Sequence, residues 1–319
     1  MTVPRFLVAL FALAMVPVAG HAQDWPNRPI RFIVPYPAGG STDVGARVIA
    51  EHLSKTLGQQ VVVENKSGGS GTVGFDFAAK SPPDGYIVLI APDQLVSAPH
   101  VFKVGFDALK DFVPVIQLSR QPVVLAVNPK LGVGKLSELV ALVKEKPGLS
   151  YATSGVGSQQ HMVAEWFGKL AGIQLEHVPY RGGGQAINDL LAGHITLASL
   201  GSTPLIRHYK AGTLKLLAQS TAARSASLPD VPTYQEGGVP LALEQWLGVF
   251  LPAGTPPAIA ARLNAEMNKA LQEAAVRRVF SESAQDPVGG TPEQFSKLVH
   301  EDFGKYDKLV RELNIKVPN

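Results

Sequence analysis

The chain has 319 residues, no cysteine, and 29 basic against 26 acidic side chains, a formal net charge of +3. The absence of cysteine excludes a disulfide framework, thiolate catalysis and cysteine-ligated metals. A charge this weak, spread evenly along the chain, argues against a nucleic-acid partner.

The first stretch, MTVPRFLVALFALAMVPVAGHAQDW, carries one basic residue (Arg5), an apolar run over residues 6–18, and Gly20 and Ala22 ahead of Gln23. This is the layout of a secretory signal peptide over residues 1–22, with cleavage expected after Ala22. The apolar run is short of the roughly 20 residues a spanning helix needs, and no cysteine follows it to take a lipid. A soluble exported chain starting near Gln23 is expected. The leader holds one charged group, Arg5, so the remaining balance stays close to neutral. A mature length near 300 residues exceeds a typical domain and predicts two lobes.

In chain order, residues 30–34 read as a strand and residues 41–57 as a helix, with Ile49, Leu53 and Leu57 on one stripe and Gly58 as its stop. Residues 61–64 read as a strand, SGGSGTVG as a turn, and residues 75–80 as a short helix. PPDG breaks the chain before a buried strand at residues 86–90. The rhythm resumes after Pro122. VVLAVNP reads as a strand, residues 137–146 as a helix, and LSYAT as a strand. Next come a turn and helix ending at Gly172, the strand LEHVPY, a turn and helix in RGGGQAINDLLAGH, and the strand ITLAS; residues 214–219 read as a closing strand. Strands alternating with helices predict an α/β fold whose parallel or mixed sheet is covered on both faces.

The last third differs. WLGVFLP reads as a strand and residues 255–275 as one long helix. Residues 291–313 read as another helix, with Thr291 as N-cap, Pro292 at the first helical position and Gln294 completing a capping box. These helices have no strands of their own to cover. The simplest topology returns the chain to the first lobe, with crossings near Gln121 and Trp246 and a cleft between the lobes. The expected division is residues 23–121 and 244–319 against residues 122–243.

Three turns share one chemistry: PAGGSTD (37–43), TSGVGSQQ (153–160) and RGGGQ (181–185) each lead from a strand through glycines or small hydroxyl residues into a helix. Glycine lets a ligand approach the main chain. The first N–H groups of a helix have no internal partner and lie at the positive end of its dipole. Such a turn can hold an anion without a basic side chain, although βα turns are commonly rich in glycine and serine without any ligand.

Enzymatic signals are thin. Gly69, Gly71 and Gly74 match G-x-G-x-x-G, but the acidic residue that a dinucleotide site needs at the end of the next strand is missing, since Asp84 lies in the PPDG turn before it. No serine has glycine at both the minus-two and plus-two positions, so the nucleophile elbow of hydrolases is absent. His161 and Glu165 form HxxxE on a helix without HExxH, and no metal or other cofactor is expected. Asp43, Asp93 and Asp189 could meet in a cleft as paired carboxylates, while Asp43 is also explained as a first-turn acid favoured by the helix dipole.

RFIVPYPAGGSTDVGAR, VVVENKSGGSGTVG, the PPDGY turn, LSYATSGVGSQQHM, HVPYRGGGQAINDLLAGHI, and WLGVFLPAGTPPAI ahead of a helix together resemble the Bug proteins. These are the extracytoplasmic solute receptors of tripartite tricarboxylate transporters. The resemblance spans essentially the whole mature chain. It implies a two-lobed, type II-like periplasmic-binding fold of the Venus-flytrap kind with two hinge crossings. It also implies a periplasmic monomer, no catalysis, and membrane transporter subunits as partners. The implied ligand is a small carboxylate held between the lobes by main-chain groups and ordered waters. On this resemblance Tyr36, Gly39, Gly40, Ser41 and Asp43 line one side, and Thr153, Ser154, Gly157, Ser158 and His161 the other. Arg181 and Gly182 come from the third turn and Ser199 from a later strand. Asp93 sits where the family usually has small polar residues, and an acid there would repel a second carboxylate or accept an ammonium group. Thr196 also departs from the family's usual acidic residue. Arg181 reads equally as a carboxylate clamp or as a rim residue, and Trp246 as a stacking platform or as packing. A sensory protein reporting ligand to a membrane sensor is the alternative of another class, and an exported hydrolase a third.

Overall fold

The computed structural model describes residues 25–316, so the expected export segment lies outside the described residues. β1 (Ile30–Val34) is buried at four of five positions and pairs in parallel with β2 (Val61–Asn65) and β3 (Ile87–Pro92). β9 (Glu244–Pro252) runs antiparallel to β3 and to the first part of β4 (Phe112–Val127). β10 (Asp286–Pro287) pairs on β4. Near-continuous apolar strands such as IVLIAP are what a sheet covered on both faces requires.

The second sheet uses the far end of β4. There β7 (Leu197–Gly201) and β8 (Lys215–Gln219) pair antiparallel to it, and β5 (Ser150–Thr153) joins β7 to β6 (Glu176–Pro179) in parallel. β4 leaves β9 at Pro122↔Glu244 and meets β7 at Val123↔Gly201, so one strand passes from sheet to sheet within a residue. Gln121 and Gln245 face each other at this crossing.

Helices cover both sheets. They are α1 (Ser41–Thr56), α2 (Thr72–Ala79), α3 (Gln94–Val101), α4 (Leu136–Glu145), α5 (Gln159–Ala171), α6 (Gly183–Ala192), α7 (Ser202–Lys210), α8 (Pro257–Ala270), α9 (Ala274–Glu282) and α10 (Pro292–Glu312). α8 and α1 bury Leu263, Met267, Ile49 and Leu53 in one cluster with β1 and β9, which ties the last third to the first lobe. The capping box at Thr291 and Gln294 starts α10, whose Phe295, Val299 and Tyr306 are buried in the largest core cluster.

Several elements differ from the sequence reading. The long helix over 255–275 is two helices, because Glu273 is extended (φ −66°, ψ 130°) and α9 sets off anew to bury Val276 and Phe280. α3 and α7 were not anticipated; each is short, and Pro99 inside α3 obscures its pattern. β4 extends eleven residues before VVLAV, to Phe112.

Candidate ligand-binding cleft

A cavity of about 50 Å³ lies where the sheets meet, lined among others by Tyr36, Gly40, Ser41, Ser154, Gly182, Gly201 and Trp246. The lobes touch around it. A Cβ built on Gly182 would come within 3.2 Å of Pro37 Cδ, and one on Gly184 within 3.4 Å of the Ala38 carbonyl oxygen. Gln94 Nε2 donates to the Val156 carbonyl (3.1 Å) and Ser97 Oγ to the Gly157 carbonyl (2.8 Å), so α3 reaches across from the first lobe to the second. A neutral hydrogen bond contributes about 1 kcal/mol net. Ser97→Ala is therefore expected to cost the contact between the lobes about 1 kcal/mol and to weaken ligand affinity about fivefold, which calorimetry and thermal melts would check.

The walls are helix starts. α1, α6 and α7 begin at Gly40, Gly182 and Gly201, all three on the lining, and none of the three has a side-chain cap. Their first N–H groups have no partner within the helix. Gly201 is needed for the convergence, since a Cβ there would lie 2.9 Å from both Gln121 Nε2 and Gln245 Oε1 and 3.1 Å from Ser41 Oγ. Among the described residues the lining holds no Lys, Arg or His side chain. Its one formal charge, Asp43, is spoken for: Arg47 bonds both carboxylate oxygens at 2.9 Å, Asn65 Nδ2 donates at 3.0 Å and the Gly39 N–H at 3.1 Å. Burial pushes this carboxyl up, but those donors hold it below the ordinary range. The lining itself presents main-chain positive potential, with its one carboxylate already paired, which suits an anion.

The remaining lining is neutral. Gln121 Nε2 donates to Gln245 Oε1 (2.7 Å), and Gln121 Oε1 accepts from Thr203 Oγ1 (3.1 Å). Gln160 Oε1 accepts the Ser154 N–H (3.0 Å), which leaves its amide NH₂ without a protein partner among the described residues. Tyr36 donates its hydroxyl to Gln94 Oε1. Trp246 lines the floor with its ring fixed, because Nε1 donates to Asp302 Oδ2 (2.7 Å) and Phe295 packs edge-on at 5.3 Å.

Of the residues singled out from sequence, Tyr36, Gly40, Ser41, Asp43, Ser154 and Gly182 are gathered on this lining. The others lie outside it, each for a local reason. Gly39 turns at φ +93° and gives its N–H to Asp43. Thr153 Oγ1 bonds His177 Nε2 (2.7 Å). Gly157 packs against Val101, and Ser158 caps α5 by accepting the His161 N–H (3.2 Å). His161 accepts the Gly157 N–H at Nδ1 (3.2 Å) and stacks on His177 with centroids 3.8 Å apart. Ser199 Oγ donates to the Gln160 carbonyl (2.8 Å), holding Gln160 in place. Arg181 is exposed. Asp93 is buried beneath the floor, where it accepts the Tyr306 hydroxyl. The glutamines at 94, 121, 160 and 245 were not singled out. A legible signal existed for two of them: Gln121 and Gln245 interrupt otherwise apolar strands at the crossing, and a buried polar side chain there must find partners.

The stacked histidines have a consequence for pH. Burial pushes His161 down to about 3, with His177 adding to it, and pushes His177 down to about 4. Groups whose folded pKa is depressed stabilise the fold above their unfolded value near 6.5, and that stability is lost as pH falls towards the folded values. The melting point should therefore drop as pH is lowered from about 6.5 to about 4. His177→Gln, which keeps a partner for Thr153, should flatten that slope in thermal melts across pH.

Comparison with known proteins agrees with this architecture. A family model described as "Tripartite tricarboxylate transporter family receptor" matches residues 45–315. Protein BugT of Bordetella pertussis is 37% identical over 326 residues, covering 99% of this chain and 100% of that one. A Rhodopseudomonas palustris protein solved with adipate superposes with a TM-score of 0.89 at 32% identity, covering 92% of this chain and all of that one. MatC of the same organism, solved with bound malate, gives 0.84 at 30% identity over 90% of this chain and all of that one. With the crossing, the cleft and these relatives together, the chain belongs to the tripartite tricarboxylate transporter receptors, the periplasmic solute-binding Bug family.

Proposed function

We propose that this protein is exported, loses residues 1–22, and serves in the periplasm as a monomeric receptor for a small carboxylate. It closes residues 23–121 and 244–319 over residues 122–243 and presents the closed form to the membrane subunits of a tripartite tricarboxylate transporter. The observation that carries the ligand class is the convergence of three uncapped helix starts, at Gly40, Gly182 and Gly201, on a cavity that holds no cationic side chain among the described residues. The adipate and malate bound to two relatives are carboxylates as well. Arg181 would act on the rim, and ordered waters would complete the contacts. No chemistry is assigned: Ser158 Oγ is engaged with Gly155 and caps α5, and Ser41 has no base beside it among its hydrogen-bond partners.

A thermal-shift screen of small carboxylic acids against their matching amides tests this reading. A ligand at 100 times its Kd adds about 2.7 kcal/mol to stability. The reading expects at least one acid to raise the melting point and its fully amidated counterpart to leave it unchanged. Equal shifts from acid and amide would remove the anion argument.

A further inference from the structure

Asp93 follows Pro92 and precedes Gln94, both of which line the cleft, yet its own carboxyl is turned beneath the floor and is 1% exposed. It is a buried acid with incomplete solvation. Oδ2 accepts the Tyr306 hydroxyl, while Oδ1 is buried without a hydrogen bond of good geometry, although the Gln245 amide faces the carboxyl. The groups around it offset its charge only in part. From α10 these are Asp302, Lys305 and Tyr306, and Lys305 pairs with Asp302 at 2.5 Å. α5 contributes Gln159, whose Nε2 donates to the Tyr306 hydroxyl (2.8 Å). From the turn after β1 comes Tyr36, whose hydroxyl feels the Asp93 charge.

The cleft is thus electrically lopsided. Helix starts on its walls attract one negative charge, whereas the floor at Pro92 and Gln94 is backed by an acid. Gln160, 7% exposed, offers on the lining an amide NH₂ that has no partner among the described residues, a donor that a neutral carbonyl can satisfy.

We infer that the preferred ligand is a small monocarboxylate whose far end is uncharged and hydrogen-bonding, as in a carboxamide, and that Asp93 is the residue that disfavours the matching dicarboxylate. This rests on the carboxylate-receptor reading above. Asp93 touches no ligand in this account and acts through its field. Burial pushes its pKa up to about 7. Ionised Asp93 repels a second carboxylate; protonated Asp93 does not. Rejection is therefore strongest above that value and relaxes below it. His161 and His177 titrate well below this window.

The test is calorimetric titration of the purified protein with succinate, glutarate and adipate and with the monoamide of each, at about pH 6.5 and about pH 8.5. For the chain length that binds, the monoamide should bind about tenfold or more tightly than the diacid at the higher pH, the size of a one-unit like-charge interaction. The gap should narrow at the lower pH, and Asp93→Asn should shrink it and remove its pH dependence. A diacid that binds as tightly as its monoamide at the higher pH, or a ratio unmoved by Asp93→Asn, overturns the inference and leaves the receptor reading standing. If no acid of either kind binds, the receptor reading falls and takes the inference with it. Should Asp93→Asn not fold, the pH series on the unaltered protein decides the question alone.

Discussion

Gly40→Phe is expected to abolish ligand binding while leaving the fold intact. Gly40 begins α1 with extended backbone (φ −85°, ψ 174°) that any residue adopts, and a Cβ there meets nothing within 4 Å. The open space around that position includes the cleft itself, because Gly40 is on the lining. A phenyl ring would occupy the place of the ligand and cover the N–H groups at the start of α1. Affinity should fall about 100-fold or more, equivalent to about 2.7 kcal/mol, with the melting point within about 2 °C of the parent. Gly40→Ala is the control and should retain binding. Calorimetry and thermal melts on the three proteins separate this outcome from misfolding. A Gly40→Phe protein that binds normally would place the ligand elsewhere.

Gly248→Ala should have the largest effect on stability. Gly248 lies on β9, between Ala91 of β3 and Gln117 of β4, and leaves room for the ring of Phe295. A Cβ would come within 2.0 Å of Phe295 Cζ and 2.7 Å of Cε1. Phe295 is 2% exposed and wedged against Trp246 and Phe250 at 5.3 and 5.1 Å, so the ring has nowhere to go without moving α10 or breaking the β4–β9 ladder. Overpacking of this kind costs about 3 kcal/mol at the upper end of its usual range, which would lower the melting point by about 6 °C or more. Because Phe295 supports Trp246 on the cleft floor, binding should weaken as well. Phe295→Leu in the Gly248→Ala background should recover part of the loss by vacating the ring position, and thermal melts of the single and double variants would show it.

The layered α/β architecture was legible in the alternation of apolar runs with helical stripes, and the return of the last third in helices that have no sheet of their own. The break between α8 and α9 was not, because ALQEAA has helix-forming residues throughout and only the burial of Val276 and Phe280 makes the chain bend. β4 was read short, because Ser119, Arg120 and Gln121 interrupt its apolar run just where it crosses between lobes. The helix-start chemistry of the cleft was legible at Gly40 and Gly182, since both lie in glycine-rich turns. Gly201, Gln94 and Gln160 were not, and the interruptions at Gln121 and Gln245 mark buried polar groups without saying what they do, because an amide's role depends on what stands opposite it, and Gln121 meets Gln245 across 124 residues of sequence. The polar residues read beside the cleft that lie outside its lining, Thr153, Ser158, His161 and Ser199, support it from behind. They cap α5, stack in the second lobe and hold Gln160. Sequence spacing places such residues near a site without saying which way they face.

The most direct test of the central claim is a crystal structure with a bound small acid. Its carboxylate oxygens should lie within about 2.7–3.2 Å of main-chain N–H groups at the starts of α1, α6 and α7, with no basic side chain in direct contact. A carboxylate held instead by the guanidinium of Arg181, away from those helix starts, would contradict it.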